Sequence, residues 1–228
     1  GFFVCVHHII SDAWSMSLLV NSIMSIYSKL LKNEELTFSN SYNYSDFIEQ
    51  EKTYLSSSKF NKDKSFWNEL FNENIFDNSF SGNVNTMSAF STNASRAEFK
   101  LSSTFTKKIV DFCKEIKVSP FTFILFIMGI YEGKINQTDK VVLSTPILNR
   151  SSAKEKNTFG LFVNNMLYKL NIDYNTSFYE CIDELNKNQF SYLRHQKYPS
   201  QNLVSDIKNR FNIKEWESPA QLPMGTKD

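Results

Sequence analysis

The sequence predicts a mixed α/β fold, because short β-rich runs alternate with longer segments that carry apolar residues at helical spacing. The 228 residues are 41% hydrophobic and 21% charged, with a formal net charge of +1. This composition is typical of a globular chain that buries a core, and it argues against disorder or a nucleic-acid-binding charge excess. At roughly 150 residues per domain, the length corresponds to about one and a half domains.

Two of these elements meet at the start of the chain. A β-rich run over residues 2–6 predicts a buried strand. Because side chains alternate along a strand, the adjacent His7 and His8 should face opposite sides. Apolar residues then recur at three- and four-residue steps from about residue 14 to residue 31, which predicts an amphipathic helix.

The rest of the chain continues the alternation, and each segment is assigned from its apolar period and its flanking cap or turn residues. Predicted helices cover residues 44–54, 59–71, 103–117, 120–131, 177–193 and 199–209. Predicted strands cover residues 96–101, 140–145 and 163–172. The helix after Pro120 is apolar almost all round, which is typical of a buried helix. Residues 72–93 are rich in Asn and Ser, include Gly82, and are interpreted as a linker or long loop.

Several classes of protein are disfavoured by the sequence. Cys5, Cys113 and Cys181 lie far apart without a CxxC or Cys/His ligand pattern, which fits a reduced cytoplasmic chain that binds no metal. The longest nearly apolar run, residues 121–131, is far shorter than the roughly 20 residues that cross a bilayer. The sequence also contains no glycine-rich phosphate loop and no GxSxG nucleophile motif.

The strongest candidate site is the segment HHIISDAWS at residues 7–15, which places two histidines and an aspartate between a predicted strand and a predicted helix start. At most one of the two histidines should point into a given cleft. The spacing does not decide whether Asp12 bonds an imidazole. Trp14 is interpreted as a core residue, and Ser15 as a helix N-cap rather than a catalytic hydroxyl.

This segment resembles the HHxxxDG signature of the condensation domains of nonribosomal peptide synthetases. Further strings are similar to elements of that family and follow in the family's order. They are YSDF at residues 44–47, FW followed by Leu70, STPILNR at residues 144–150, FGLFVNN at residues 159–165 and HQKYP at residues 195–199. Two departures are Ala13 in place of the usual glycine and Gln50 in place of a tryptophan.

The resemblance implies a two-lobed α/β fold like that of chloramphenicol acetyltransferase, here incomplete at both ends. Residues 1–75 would then form the C-terminal part of the first lobe, residues 76–95 a linker, and residues 96–228 a truncated second lobe. Since unpaired sheet edges and an uncovered core face are costly, we expect the isolated 228-residue polypeptide to be poorly stable or to associate with itself.

The resemblance also implies an activity, in which a donor aminoacyl or peptidyl thioester on one carrier protein is joined as an amide to the amine of an acceptor aminoacyl group on a second carrier. The phosphopantetheine arms of the carriers would present the substrates, and no cofactor is expected on the chain itself. Expected partners are an upstream donor and a downstream acceptor peptidyl carrier protein and a neighbouring adenylation domain, with no nucleic acid, membrane or metal. A different acyltransferase of the same superfamily and a truncated, inactive module that docks carrier proteins are the alternatives.

Within the resembling motifs, His8 is the predicted catalytic residue, either as a base or as a group that orients the amine. Asp12 is interpreted as structural support whose charge must be paired if it is buried, and His7 as a packing or supporting residue. The family pairs this aspartate with an arginine. Arg150, which follows Asn149 in the motif at residues 144–150, either supplies that partner or lies at the surface.

Three residues are candidates to line a substrate tunnel between the lobes. They are Trp14, Ser15 and Asn165. For Asn165, which enters a predicted strand, a hydrogen bond to a crossing loop is the alternative role. The identities of the donor and acceptor amino acids cannot be predicted from these residues.

Overall fold

The computed structural model describes residues 1, 3–37, 43–75 and 98–213. These residues form eight α-helices, one 3-10 helix (His8–Ile10) and one antiparallel sheet of two strands. The helices are α1 (Ala13–Leu31), α2 (Tyr44–Leu55), α3 (Ser58–Leu70), α4 (Ser103–Glu115), α5 (Pro120–Ile135), α6 (Ala153–Lys156), α7 (Phe178–Arg194) and α8 (Ser200–Phe211), and the strands are β1 (Lys140–Ile147) and β2 (Asn164–Asn171).

The sheet lies at the centre of the described core. β1 and β2 pair over their whole length, from Lys140 opposite Asn171 to Ile147 opposite Asn164. Helix α5 packs against β1, while α7 and α8 pack against β2. The strand residues that these helices cover are buried, namely Val141, Leu143, Met166, Leu167, Tyr168 and Leu170.

Serine caps set where many of the helices begin. Among the described helices, five start after a serine whose hydroxyl accepts a backbone N–H from the first turn, and these are Ser57, Ser102, Ser119, Ser152 and Ser177. Each cap satisfies one of the N–H groups that a helix start leaves without an intrahelical partner. The predicted helix boundaries are therefore close to the observed ones. For α4, the cap is Ser102.

Residues on both sides of the predicted lobe boundary share one hydrophobic core. Trp67, Phe71 and Ile75 lie in the same buried cluster as Leu125 and Leu143. The division into lobes stays a prediction, since most of the predicted linker at residues 76–95 lies outside the described residues.

Two predicted strands are wrong in the part that the structure describes. Residues 3–6 and 98–101 have no regular secondary structure. A β-strand is stabilised by hydrogen bonds to a neighbouring strand, and within the described ranges no strand lies beside either segment. His7 and His8 consequently do not alternate across a sheet, because His7 caps the 3-10 helix that His8 begins.

The prediction that the helix after Pro120 is buried on every side is also wrong. One stripe of α5 is 41–56% exposed, comprising Phe121, Ile124, Ile127, Tyr131 and Ile135. Only the opposite side of α5 packs against β1, α4 and α7. Helix α1 is exposed along most of its length, and Ser15 is its single buried residue. No described helix is both long and apolar enough to span a membrane.

Candidate active site

The two histidines lie at the surface, on the loop that precedes α1. The imidazole Nδ1 of His7 accepts the backbone N–H of Ile9 at 3.1 Å and so caps the 3-10 helix. The imidazole of His8 is exposed and makes no hydrogen bond within the described residues. His8 is therefore accessible from the solvent side of this loop.

Asp12 holds the other end of the same loop. It is 6% exposed and caps α1, because its Oδ1 accepts the backbone N–H of Ser15 at 2.8 Å. Its Oδ2 accepts the N–H of Phe162, 150 residues along the chain, at 3.0 Å. The carboxylate thus ties the start of α1 to the segment that leads into β2.

Arg150 completes the charge balance at Asp12. Its Nη2 lies 3.1 Å from both carboxylate oxygens, and its side chain is fully buried. Its Nη1 donates to the backbone carbonyls of Glu155 and Thr158, and its guanidinium lies 3.9 Å from the centre of the Phe162 ring. Of the two placements that the sequence leaves open for Arg150, the structure has the buried ion pair.

The turn before Arg150 explains how its side chain reaches the interior. Asn149 has a φ of 51°, which is the left-handed region that asparagine adopts more readily than most residues. This turn ends the extended chain of β1. A capping box between Ser152 and Glu155 then starts α6, and the Glu155 and Thr158 carbonyls that accept from the guanidinium lie in α6 and just after it.

Asp12 keeps its charge despite its burial. Removal from water alone would raise the pKa of this carboxyl group, but the N–H groups of Ser15 and Phe162 and the Arg150 guanidinium lower it by more. The net result is that the pKa of Asp12 lies below its ordinary value. An ionised Asp12 is therefore part of the folded structure at neutral pH.

Ser15 is bonded differently from its predicted role. Asp12 caps the helix, so the interpretation of Ser15 as the N-cap is wrong. The Ser15 hydroxyl is instead buried, donates to the carbonyl of Gly160 at 2.7 Å, and accepts the Gly160 N–H at 3.0 Å. It also accepts from Arg150 Nη2 at 2.9 Å.

The other predicted site residues make no described hydrogen bond to His8. Trp14 is half-buried, and its Nε1 donates to the carbonyl of Lys156 at 2.8 Å. Asn165 is exposed and lies opposite Pro146 in the sheet. The assignment of Trp14, Ser15 and Asn165 to a substrate tunnel stays a prediction.

A neighbouring residue that the sequence reasoning missed, Asn164, makes the bonds to a crossing loop. Its Nδ2 donates to the carbonyls of Gln196 and Tyr198 at 3.0 and 2.9 Å, and its Oδ1 accepts the N–H of Ser200 at 3.1 Å. The usable signal was the position of Asn164 at a strand start, where asparagine side chains commonly bond backbone groups.

Asp63 is a second residue that the sequence reasoning missed. It is fully buried, lies 2.5 Å from His195 Nδ1 and accepts from the Tyr54 hydroxyl at 2.8 Å and from Lys59. The helical period placed Asp63 on the apolar face of its helix, between Phe60 and Trp67, which is a signal that could have found it. The cluster ties α3 to the end of α7.

No group of His, Cys, Asp and Glu side chains in the described part of the chain is arranged to hold a metal ion. The arrangement around His8 instead consists of one exposed imidazole and a buried, charge-balanced anchor behind it.

The family of the chain follows from its match to the family model described as Condensation domain, which covers residues 2–215. The fold described above carries the histidine and aspartate of that family's motif on the loop before α1. The chain belongs to the condensation-domain family, and this confirms the resemblance found in its motifs.

Two curated relatives are peptide synthetases of Bacillus subtilis (strain 168). The chain is 33% identical to surfactin synthase subunit 1, with 99% of the chain and 7% of that protein aligned. It is 30% identical to a plipastatin synthase, with 91% of the chain and 8% of that protein aligned. The chain therefore spans less than a tenth of the length of these relatives.

A solved structure has the same fold. The first condensation domain of the calcium-dependent antibiotic synthetase, in complex with a substrate analogue, matches with a TM-score of 0.76 at 17% identity. The match covers 95% of this chain and 48% of that chain. The predicted fold class is confirmed, and the chain spans about half of that solved structure.

Proposed function

We propose that this chain is the part of a condensation domain that carries the reacting histidine, in an enzyme that joins a donor acyl or peptidyl thioester to an acceptor amine as an amide. The observation that carries the proposal is the exposed imidazole of His8 on a loop whose other end, Asp12, is fixed by the buried Arg150. Membership of the condensation-domain family supports the same reaction.

The reaction needs modest help from the protein. The acceptor amine nitrogen attacks the thioester carbonyl carbon, so that a C–N bond forms and the C–S bond breaks. The proton that the amine loses goes to His8 or, if His8 only orients the amine, to solvent, and the departing thiolate takes up a proton. A thioester is already activated, so positioning of two tethered reactants supplies much of the rate.

Asp12 is not the base in this scheme. Its two oxygens accept the N–H groups of Ser15 and Phe162 and both face Arg150, so no oxygen is left for an imidazole or a substrate amine. Its proposed role is to hold the His8 loop in place.

The proposed partners follow from the reaction. Donor and acceptor groups would arrive on the phosphopantetheine arms of an upstream and a downstream peptidyl carrier protein, loaded by a neighbouring adenylation domain. Such an assembly consumes amino acids and ATP, and we place it in the cytoplasm. The proposal leaves open which amino acids are joined.

His8→Ala in the full-length polypeptide tests the proposal. Given ATP and a mixture of proteinogenic amino acids, we expect amide formation, recorded by mass spectrometry, to fall about 100-fold or more, because a positioned proton acceptor contributes on the order of 10² to 10⁴ in rate. His7→Asn is the matched control, because asparagine removes the imidazole but can still cap the 3-10 helix as His7 does, and it should retain most of the rate.

Undiminished amide formation by His8→Ala would remove His8 from the reaction. Transfer of the acyl group only to a hydroxyl, or only to an amine that is not bound to a carrier protein, would favour another acyltransferase of the superfamily. If the unaltered polypeptide binds carrier proteins but forms no amide, the result would favour an inactive module that docks carrier proteins.

A further inference from the structure

Ser15 is bonded to its full capacity. A serine hydroxyl has one hydrogen to donate and two lone pairs to accept with. In Ser15 the hydrogen goes to the Gly160 carbonyl at 2.7 Å, and the lone pairs take the Gly160 N–H at 3.0 Å and Arg150 Nη2 at 2.9 Å. The side chain is 0% exposed. Ser15 therefore cannot reach a substrate. Loss of any of its three bonds would leave a buried polar group unpaired.

The segment that Ser15 binds is itself confined. A side chain added at Gly160 would come within 2.1 Å of the Tyr44 ring, so this residue approaches α2 as closely as a glycine can. The Tyr44 hydroxyl donates to the carbonyl of Leu161 at 2.8 Å. Residues 160–162 are consequently a fixed base onto which the first turn of α1 is attached.

Two side chains make this attachment, one turn apart. Asp12 binds the N–H of Phe162, and Ser15 binds both backbone groups of Gly160. The loop that carries His8 ends at Asp12, and the Ser11 hydroxyl bonds back to the His7 carbonyl at 3.3 Å. The position of His8 relative to β2 therefore depends on the first turn of α1.

We propose that Ser15 is a positioning residue for the condensation reaction: its hydroxyl fixes the first turn of α1 against Gly160 and thereby sets where His8 presents its imidazole. This inference rests on the proposed function, because it assigns Ser15 a role only through His8. It replaces both the helix cap and the tunnel-lining role considered for Ser15 from the sequence.

A double-mutant cycle in the full-length polypeptide separates positioning from a general structural role. The rate of amide formation, with ATP and a mixture of proteinogenic amino acids, is measured for the unaltered protein, Ser15→Ala, His8→Ala and the double variant. We expect Ser15→Ala to lower the rate about 10- to 100-fold, since small displacements of a reacting group have effects of that order. In the His8→Ala background we expect no further loss.

Ser17→Ala is the matched control. Ser17 lies on the same turn of α1, is exposed, and its hydroxyl bonds only the carbonyl of Ala13 at 3.2 Å. Its removal should leave the rate unchanged. Thermal unfolding of each variant is recorded alongside, and if Ser15→Ala unfolds below the assay temperature, Ser15→Cys, with a weaker hydrogen-bonding group, takes its place in the cycle.

An equal fractional loss from Ser15→Ala in both backgrounds overturns the inference, because the hydroxyl would then act independently of His8. An unchanged rate for Ser15→Ala beside a reduced rate for His8→Ala overturns it while the proposed function stands. Failure of both Ser15 variants to fold also overturns it, in favour of a purely structural role. If His8→Ala is fully active, the proposed function fails and the positioning role with it.

Discussion

Asp12 and Arg150 illustrate how a buried ion pair is retained at a loop that must keep its shape. The pair contributes little net stability compared with apolar packing, but removal of one partner leaves a buried charge and costs about 3–5 kcal/mol. Here each Asp12 oxygen also accepts a backbone N–H. Loss of the pair would therefore release α1 and the segment before β2 together.

The lowered pKa of Asp12 gives a pH-dependent prediction. Because the folded state favours the ionised form, its stabilising contribution is present above the unfolded pKa near 3.8 and is lost as the pH falls through the lower folded pKa. Asp12→Asn should be less stable at neutral pH, and its deficit should shrink below about pH 4. Denaturant unfolding at a series of pH values measures this difference.

Other carboxylates with lowered pKa, such as Glu155, are present in the unaltered protein and in the Asp12→Asn variant. Their contributions therefore cancel when the stabilities of the two are compared. Asp111→Asn, an exposed substitution on α4, is the matched control and should follow the unaltered protein at every pH. A deficit of Asp12→Asn that stays constant from neutral to acid pH would contradict the assigned cause.

At the scale of the residue, the sequence identified the aspartate and histidine motif but not the bonds behind it. The local spacing of HHIISDAWS indicated a loop before a helix. The partners of Ser15 and Asp12 lie 145 and 150 residues away in sequence, and no local pattern encodes them. The sequence left two placements open for Arg150, paired with Asp12 or at the surface, because only the fold decides whether the turn at Asn149 faces inward.

At the scale of the element, Asn164 joins β2 to the connection between α7 and α8. Its amide group donates to two carbonyls of that connection and accepts the N–H that begins α8, where Pro199 offers no side-chain cap. One side chain thus orients the strand, the connection and the helix start.

Asn164→Asp tests whether these hydrogen bonds hold the three segments together, because the substitution hardly changes the shape of the side chain. A carboxylate would face the carbonyl oxygens of Gln196 and Tyr198 without a hydrogen to donate, so we expect the free energy of unfolding to fall by about 2 kcal/mol or more. Asn165→Asp, at the adjacent exposed position, should change it by about 0.5 kcal/mol or less. Denaturant midpoints measure both, and equal midpoints for the two variants would refute the assignment.

Helices were more predictable than strands because their signals are local. The apolar period placed α2, α3, α7 and α8 close to their observed bounds, with the help of serine caps at α3 and α7. The β-rich run at residues 2–6 has the composition of a strand, but composition cannot supply the neighbouring strand that would complete its hydrogen bonds. In the same way, the uniform apolarity of α5 could not reveal that only one of its sides is covered.

At the scale of the whole molecule, the described part of the chain leaves large apolar side chains uncovered on several helices, α1 and α5 among them. Those of α1 are 44–67% exposed and comprise Val20, Met24, Tyr27, Leu30 and Leu31. Contiguous apolar surface of this kind promotes association. Ser15 is the single buried residue of α1, so this apolar surface is open to an associating partner.

The isolated 228-residue polypeptide is therefore expected to associate with itself in a concentration-dependent way, as sedimentation velocity would record. Combined Met24→Glu and Leu31→Glu should reduce this association, because glutamate favours helix while removing apolar surface. Combined Asn21→Glu and Ser25→Glu adds the same charge at exposed polar positions of α1 and should leave the association largely unchanged. A single monomeric species across the concentration range would contradict this expectation.

The anchoring of α1 at one end gives the helix the mechanics of a lever with its pivot beside His8. Its 19 residues span about 28 Å, so a sideways movement of about 5 Å at Leu31 corresponds to a rotation of roughly 10°. An atom about 5 Å from the pivot moves by only about 1 Å in that rotation. Movements at the far end of α1 therefore reach the histidine loop reduced about fivefold in amplitude.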